Sequence, residues 1–166
     1  MGKNYLRIDD RLIHGQIVTA WCKALSIREI VAIDDALAAN PTLQSIMMMG
    51  IPAHYKHYVV SFDKAREIFS EESDGNRLFV TRIPQNLKAI RQELTSCETV
   101  FIGNAAKRPD TVHNLTKGGG GVFFASDEDV KLFDELCAAG INVVAQTVPN
   151  TAARPWQEVR KSIKGL

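Results

Sequence analysis

The stretch Tyr5-Leu6-Arg7-Ile8-Asp9-Asp10-Arg11-Leu12-Ile13-His14-Gly15-Gln16-Ile17 changes its pattern twice. Its first residues complete a short apolar run, Asn4–Ile8, that reads as a β-strand. From Gly15 onward Ile17, Val18, Trp21, Cys22 and Leu25 fall on one stripe at helical spacing, so a helix is expected over Gly15–Leu25. The connection between the two carries two carboxylates, an arginine and an imidazole. A strand feeding a helix through a charged loop at the start of the chain is the first unit of an α/β pattern.

The rest of the chain repeats that alternation. Strands are expected at Glu29–Ile33, His57–Ser61, Leu78–Ile83, Thr99–Ile102, Val122–Ala125 and Ile141–Val148, most of them continuous apolar runs suited to strands covered on both faces. Asn40-Pro41 reads as an N-cap and first helical residue of a helix ending near Gly50. Asp63 is placed to cap Lys64–Glu71, and Pro84 to open Gln85–Leu94. Ser126-Asp127-Glu128-Asp129 has the form of a capping box before Val130–Ala139, with Gly140 as the stop. A last short helix is expected near Trp156–Ile163, where Trp156, Val159 and Ile163 share a face. The fold class expected is α/β: one domain over residues 1–166, with an open twisted, mainly parallel β-sheet of about seven strands and helices on both faces. The polar segment Asn104–Gly121, with Pro109 and four closing glycines, reads as loop with at most one short edge strand.

Composition removes several function classes. The 166 residues carry 20 basic and 19 acidic side chains, a formal net charge of +1, which gives no electrostatic footprint for nucleic acid or an acidic membrane. The apolar run Ile46–Ile51 is far shorter than the roughly 20 residues of a membrane span, and Met1-Gly2-Lys3-Asn4 leads into a strand without a signal-peptide core. Cys22, Cys97 and Cys137 are an odd set at wide spacing; Cys22 and Cys137 read as small core hydrophobes, and a reducing, cytoplasmic compartment fits them.

In an open parallel sheet the functional loops leave the carboxyl ends of the strands, which is where Asp9–His14 falls. The following helix presents free backbone N–H groups and the positive end of its dipole to the same space. Leu12 and Ile13 are expected to hold the loop to the body of the protein. An imidazole there can be a base, a metal ligand, a nucleophile or a hydrogen-bonded structural group. A base for acyl transfer lacks a serine or cysteine nearby. A metal site lacks partner ligands, because His54, His57 and His113 are scattered, so no metal is expected. A nucleophile that takes up a phosphoryl group finds a cation and amide donors beside it, and an imidazole's ordinary pKa of about 6.5 leaves a neutral ring available. The residues alone leave the nucleophilic and structural readings open.

The stretch Arg7–Ile17 with Trp21 following strongly resembles the N-terminus of the IIB component of bacterial sugar phosphotransferase systems, in the mannose/fructose/sorbose family. The order of elements extends the resemblance along nearly the whole chain: Val31-Ala32-Ile33-Asp34-Asp35, Val100-Phe101-Ile102-Gly103-Asn104, Ser126-Asp127-Glu128-Asp129 and Gln146-Thr147-Val148-Pro149. Ala105–Gly121 departs from it, with Lys117 and four glycines where the family often has Gly-Lys-Lys in a short hairpin.

The resemblance implies a protein-phosphohistidine–sugar phosphotransferase. His14 would accept a phosphoryl group from a phosphohistidine on a IIA partner and pass it to sugar entering through a membrane IIC/IID complex. The expected location is cytoplasmic, held at the inner face of the membrane through IIC/IID. Arg11 would stabilise the phosphoryl charge or pair with an acid on IIA. Asp9 would orient the loop or the imidazole. Asp10, Gly15 and Gln16 are candidates for contact with the phosphoryl group or a partner, with Asp10 and Gln16 equally readable as surface groups. Arg7, Arg11 and Lys23 are candidates for a basic rim around an exposed crest, with strand alternation as the alternative that points Arg7 elsewhere. No cofactor and no nucleic acid is expected, and the sequence is compatible with a homo-oligomer. A nucleotide-binding module is disfavoured, because the first strand is not followed by a glycine fingerprint, and Gly118–Gly121 has no Lys-Ser/Thr after it. The Met47–Met49 run reads as packing, and Asp34-Asp35 as crest or helix start.

Overall fold

The computed structural model describes residues 1–116 and 122–166. Alternating β and α elements build one seven-stranded sheet in the order β3-β2-β4-β1-β5-β8-β9. Its strands are β1 (Asn4–Asp9), β2 (Ile27–Ile33), β3 (Lys56–Val60), β4 (Asn76–Thr81), β5 (Cys97–Asn104), β8 (Val143–Ala145) and β9 (Arg154–Pro155). Every pairing is parallel except that of the edge strand β9 with β8. The first strand is therefore central, and its carboxyl end opens between those of β4 and β5. Helices are α1 (π-helical Ile17–Trp21 running into α-helical Cys22–Ala24), α2 (Asp35–Ala38), α3 (Pro41–Met48), α4 (Phe62–Ser70), α5 (Asp127–Ala138) and α6 (Trp156–Lys161).

Strand alternation divides the core in two. Leu6, Ile8, Val31, Ile33, Phe79, Val100 and Ile102 face α4, α5 and α6, with Phe133 and Trp156 filling that layer. Ile30, Ala32, Leu78, Val80 and Phe101 face the opposite way, onto Leu12, Ile17, Trp21 and Leu37. Each fully buried aliphatic or aromatic side chain contributes about 1.5–3 kcal/mol. Cys22 is buried in the second layer and Cys137 packs partly buried against the first, as small hydrophobes do.

Several expected boundaries move. The expected strand over residues 122–125 shortens to β7 (Phe124–Ala125) and leaves the main sheet, pairing antiparallel with β6 (His113–Asn114) in a separate ribbon. Its place is taken by β9, a two-residue edge strand too short to give an alternation signal. The expected strand over 141–148 contracts to β8, because Gln146 turns its side chain onto Pro149 and Thr151 carbonyls and closes a loop there. Ser61, not Asp63, caps α4: its hydroxyl accepts the Lys64 N–H at 3.2 Å, and Asp63 lies within the first turn. The helix expected after Pro84 is two 3₁₀ stretches, Pro84–Ile90 and Glu93–Ser96. Asn40, Pro41 and the Ser126–Asp129 capping box stand as read, and Gly140 ends α5 at a φ of +84°. Lys117 and the four glycines lie outside the described residues. No helix among the described residues is long and apolar enough to cross a membrane.

Candidate functional site

The carboxyl ends of five strands meet at one edge of the sheet: Asp9 ends β1, Asn104 ends β5, and Arg82, Asp34 and Gln146 directly follow β4, β2 and β8. The loop from Asp10 to His14 crosses this edge. Its sharp turn is made at Leu12, which takes a φ of +53° although it is not glycine. That conformation costs roughly 1–2 kcal/mol, and the complete burial of the Leu12 side chain offsets it. Ile13 is buried beside it, so the two apolar residues pin the loop as expected.

Asp9 is the hub. It is fully buried, and its Oδ2 accepts the His14 Nε2 at 3.0 Å, the Arg7 Nε at 3.4 Å and the Asn104 amide at 3.5 Å. Its Oδ1 accepts the Arg11 backbone N–H at 3.1 Å. Burial works to raise the carboxyl's pKa; the hydrogen bond and charge of His14, the Arg7 guanidinium and the Arg11 N–H outweigh it and hold the group below the usual carboxylate range. His14 leans on this carboxylate with 15% of its side chain exposed, so it is more enclosed than an open crest. Gly15 and Gln16, which follow it, are exposed. Nothing lies within 4 Å of where a Gly15 Cβ would stand, so the fold does not demand glycine there; its bare backbone leaves the approach to His14 open.

Arg7 does not join a basic rim. Alternation along β1 turns it into the protein, 1% exposed, where Nη1 and Nη2 donate to the Gln146 and Thr147 carbonyls at 2.9 Å each. Its guanidinium lies 4.5 Å over the Trp21 ring, and burial pushes its pKa down to about 10, which still leaves it charged at neutral pH. Arg11 and Lys23 remain on the surface.

Asp10 is not a solvated surface acid. Its carboxylate accepts the Ala106 N–H at 2.8 Å, its own N–H donates to the Asn104 carbonyl at 2.9 Å, and its carbonyl accepts Arg82 Nη1 at 2.7 Å. The same Arg82 donates to Asp34 at 2.9 Å, and Asp34 caps α2 by accepting the Leu37 N–H. Asp35 accepts the Phe62 N–H. The Asp34-Asp35 pair is therefore a helix start tied to the loop. A shallow open hollow of about 240 Å³ lined by Asp10, Arg11, Asn104, Ala106 and Val122 lies beside it.

The remaining histidines are engaged elsewhere: His57 with the Tyr55 carbonyl, His113 with Asp127, and His54 with its ring tilted against that of Tyr55. Among the described residues no group of three or more His, Cys, Asp or Glu side chains is placed to hold a metal. The structure brings Asp9, Asp10, Arg11 and His14 together, and adds Arg82, Asn104, Gly103 and the Gln146–Thr147 carbonyls, to which the sequence assigned no part in the site. Arg82 carried one signal, its place directly after a parallel strand. Gly103 entered only within the stretch Val100–Asn104 that carries the resemblance, and its role is close approach: a Cβ on it would stand 2.5 Å from both the Arg7 Cζ and the Ile8 carbonyl oxygen. Gly103→Ala is accordingly expected to lower stability by about 2–3 kcal/mol through overpacking. Urea denaturation checks this, and an unchanged midpoint would show that the Arg7 layer yields freely.

Residues 4–164 match the family described as the PTS system sorbose subfamily IIB component. The chain belongs to that family. This IIB component is 23% identical to the fructose-specific EIIB component of Bacillus subtilis over 95% of the chain and 94% of that protein. It is 27% identical to the sorbose-specific EIIB component of Klebsiella pneumoniae over 86% and 85%. The crystal structure of the IIB domain of the Klebsiella pneumoniae sorbose permease has the same fold, with a TM-score of 0.84 at 24% identity over 99% of this chain and all of that one. As a IIB component, the protein takes part in phosphoryl transfer in a sugar phosphotransferase system.

Proposed function

We propose that His14 is the phosphocarrier of this IIB component, accepting a phosphoryl group from a phosphohistidine on a IIA domain and passing it to sugar entering through a IIC/IID membrane complex. The observation that carries this reading is the hydrogen bond between His14 Nε2 and Asp9 Oδ2, 3.0 Å long. An ionised carboxylate can only accept, so the ring proton sits on Nε2 and the free lone pair on Nδ1. Among the described residues Nδ1 makes no hydrogen bond, and it is not one of the buried atoms left without a partner. The nucleophilic nitrogen is thus Nδ1.

In the first transfer the Nδ1 lone pair forms a bond to phosphorus as the donor's P–N bond breaks, its electron pair returning to the donor imidazole. The His14 ring then carries positive charge, balanced by Asp9. In the second transfer a sugar hydroxyl oxygen attacks phosphorus and the P–Nδ1 pair returns to His14. The hydroxyl proton leaves to a base of the acceptor complex or to water. Asp10, Gly15 and Gln16 surround this path as the fastening and the open approach. The chain works at the inner face of the membrane, recruited by IIC/IID.

The test is to phosphorylate the protein with phosphoenolpyruvate, enzyme I, phosphocarrier protein and IIA, and to locate the group by ¹⁵N–³¹P NMR. A single acid-labile, base-stable phosphoryl group on Nδ1 of His14 is expected. A group on Nε2 or on another residue refutes the assignment.

Arg11 supplies the mobile cation. Its backbone is fixed by Asp9, while its side chain is 53% exposed with Nε 3.8 Å from Asp9 Oδ1, a reach that lets the guanidinium turn to an incoming phosphoryl group. Arg11→Ala is expected to fold normally and to slow single-turnover transfer from phospho-IIA by about 10²–10³-fold. Arg11→Lys should recover part of that, since an ammonium lacks the guanidinium fork. An unaltered rate in Arg11→Ala removes Arg11 from the mechanism.

A further inference from the structure

Arg7 stands behind the reacting histidine, out of reach of any phosphoryl group, yet the molecule holds it with unusual care. Both terminal nitrogens are fixed on carbonyls of the β8 loop, the Trp21 ring covers one face, and Gly103 is bare to make room. Its remaining donor, Nε, is aimed at Asp9 Oδ2, the same oxygen that receives His14 Nε2. A guanidinium needed only for packing could be replaced by an apolar side chain without a buried charge to match. One needed only to orient Asp9 duplicates Asn104 and the Arg11 N–H, which already hold the carboxylate.

What Arg7 alone adds is a buried positive charge. The groups that face the His14 ring or its hub are Asp9, Arg7 behind it and Arg11 in front, while the Asp10 carboxylate is turned away onto the Ala106 N–H. Without Arg7, the buried carboxylate 3.0 Å from the imidazole would be balanced only by the half-exposed Arg11 guanidinium, whose Nε is 3.8 Å from it. A carboxylate in such a place favours the charged ring strongly. A doubly protonated ring has no lone pair with which to accept a phosphoryl group. A phosphorylated ring, itself positive, would be stabilised against giving the group away. Both halves of a carrier's cycle would suffer.

We infer that Arg7 is a positioning residue that acts through Asp9 to keep His14 both a neutral acceptor and a ready donor of the phosphoryl group. The inference rests on the phosphocarrier reading for its second half only, so the two can be tested apart.

The first measurement uses unphosphorylated protein. ¹⁵N spectra of the His14 ring at pH 7 report the ratio of doubly to singly protonated rings. Arg7→Gln is expected to raise that ratio about tenfold or more, the effect of one unit of proton affinity. Arg7→Lys, which keeps the charge and loses the fork, should stay near the wild type. An unchanged ratio in Arg7→Gln, or equal rises in both variants, overturns the inference. If Arg7→Gln does not fold, Arg7→Met is made with Asp9→Asn, which removes the buried pair whole. The double variant should then match Asp9→Asn alone, and a tenfold difference between them excludes a route through Asp9. The second measurement is the equilibrium of the phosphoryl group between IIA and this protein. Arg7→Gln should shift it about tenfold toward the phosphorylated protein, and no shift overturns the donor half. A wild type that takes no phosphoryl group from IIA at all defeats the phosphocarrier reading and leaves the ring measurement standing.

Discussion

His14→Ala is expected to take up no phosphoryl group under conditions that label the wild type fully. The loss should be complete because no other histidine or cysteine among the described residues is placed to substitute. His54, His57 and His113 are each committed to partners away from the loop. The cysteines are no reserve either: burial pushes the thiols of Cys22 and Cys97 up to about 12 and raises that of Cys137, so the thiolate is scarce at neutral pH. The fold should survive the change, since Asp9 keeps its donors from Arg7, Asn104 and the Arg11 N–H when the ring is gone. Labelling of His14→Ala at the wild-type level would sink the assignment.

Asp9→Asn should slow transfer by on the order of 10³-fold while His14 remains in place. Both oxygens of Asp9 receive donors, so an amide cannot be accommodated without loss in either orientation. With its NH₂ toward Arg11 it opposes the backbone N–H that sets the loop. With its NH₂ toward His14 it forces Nε2 to accept, and the ring proton moves to Nδ1, where the lone pair is needed. In both cases the charge that balances the phosphorylated ring is gone. Stopped-flow single turnovers from phospho-IIA measure this, and a rate within a factor of three of the wild type would remove Asp9 from the chemistry.

How much of this was legible in the sequence follows from the kind of contact involved. The parallel sheet was readable because strands buried on both faces are continuous apolar runs, and Leu6, Ile8, Val31 and Phe79 are such residues. Helix starts were readable where a side chain caps locally, as at Asn40 and Ser126. Ser61 was passed over because Asp63, two residues on, offers the same chemistry. Within the site, Asp9 and His14 lie five residues apart in one loop, so proximity in sequence placed them. Arg82 touches Asp10 from 72 residues away, and Arg7 is bound by carbonyls about 140 residues on. Carbonyls belong to every residue, so a guanidinium anchored on them leaves no signature in side-chain pattern. The sequence therefore left Arg7 between the rim and the interior.

The polar segment that departs from the family's pattern hangs from a closed neck. Ala105 and Val122 are joined by a backbone hydrogen bond of 2.8 Å, the Asn104 side chain accepts the Val122 N–H at 3.0 Å, and Phe124 donates to the Ala105 carbonyl at 2.9 Å. Below the neck, Asp10 is fastened to Ala106. The neck therefore works as a clasp: Ala105, Ala106 and Val122 are tied through their backbone to one another, to Asn104 and to Asp10, so the exposed side chains of Ala106 and Val122 can be exchanged while the registration of Asp9 and His14 is kept. A fluorophore on Lys107→Cys, an exposed position next to that clasp, would report on partners that approach the sheet edge carrying Asp9 and His14.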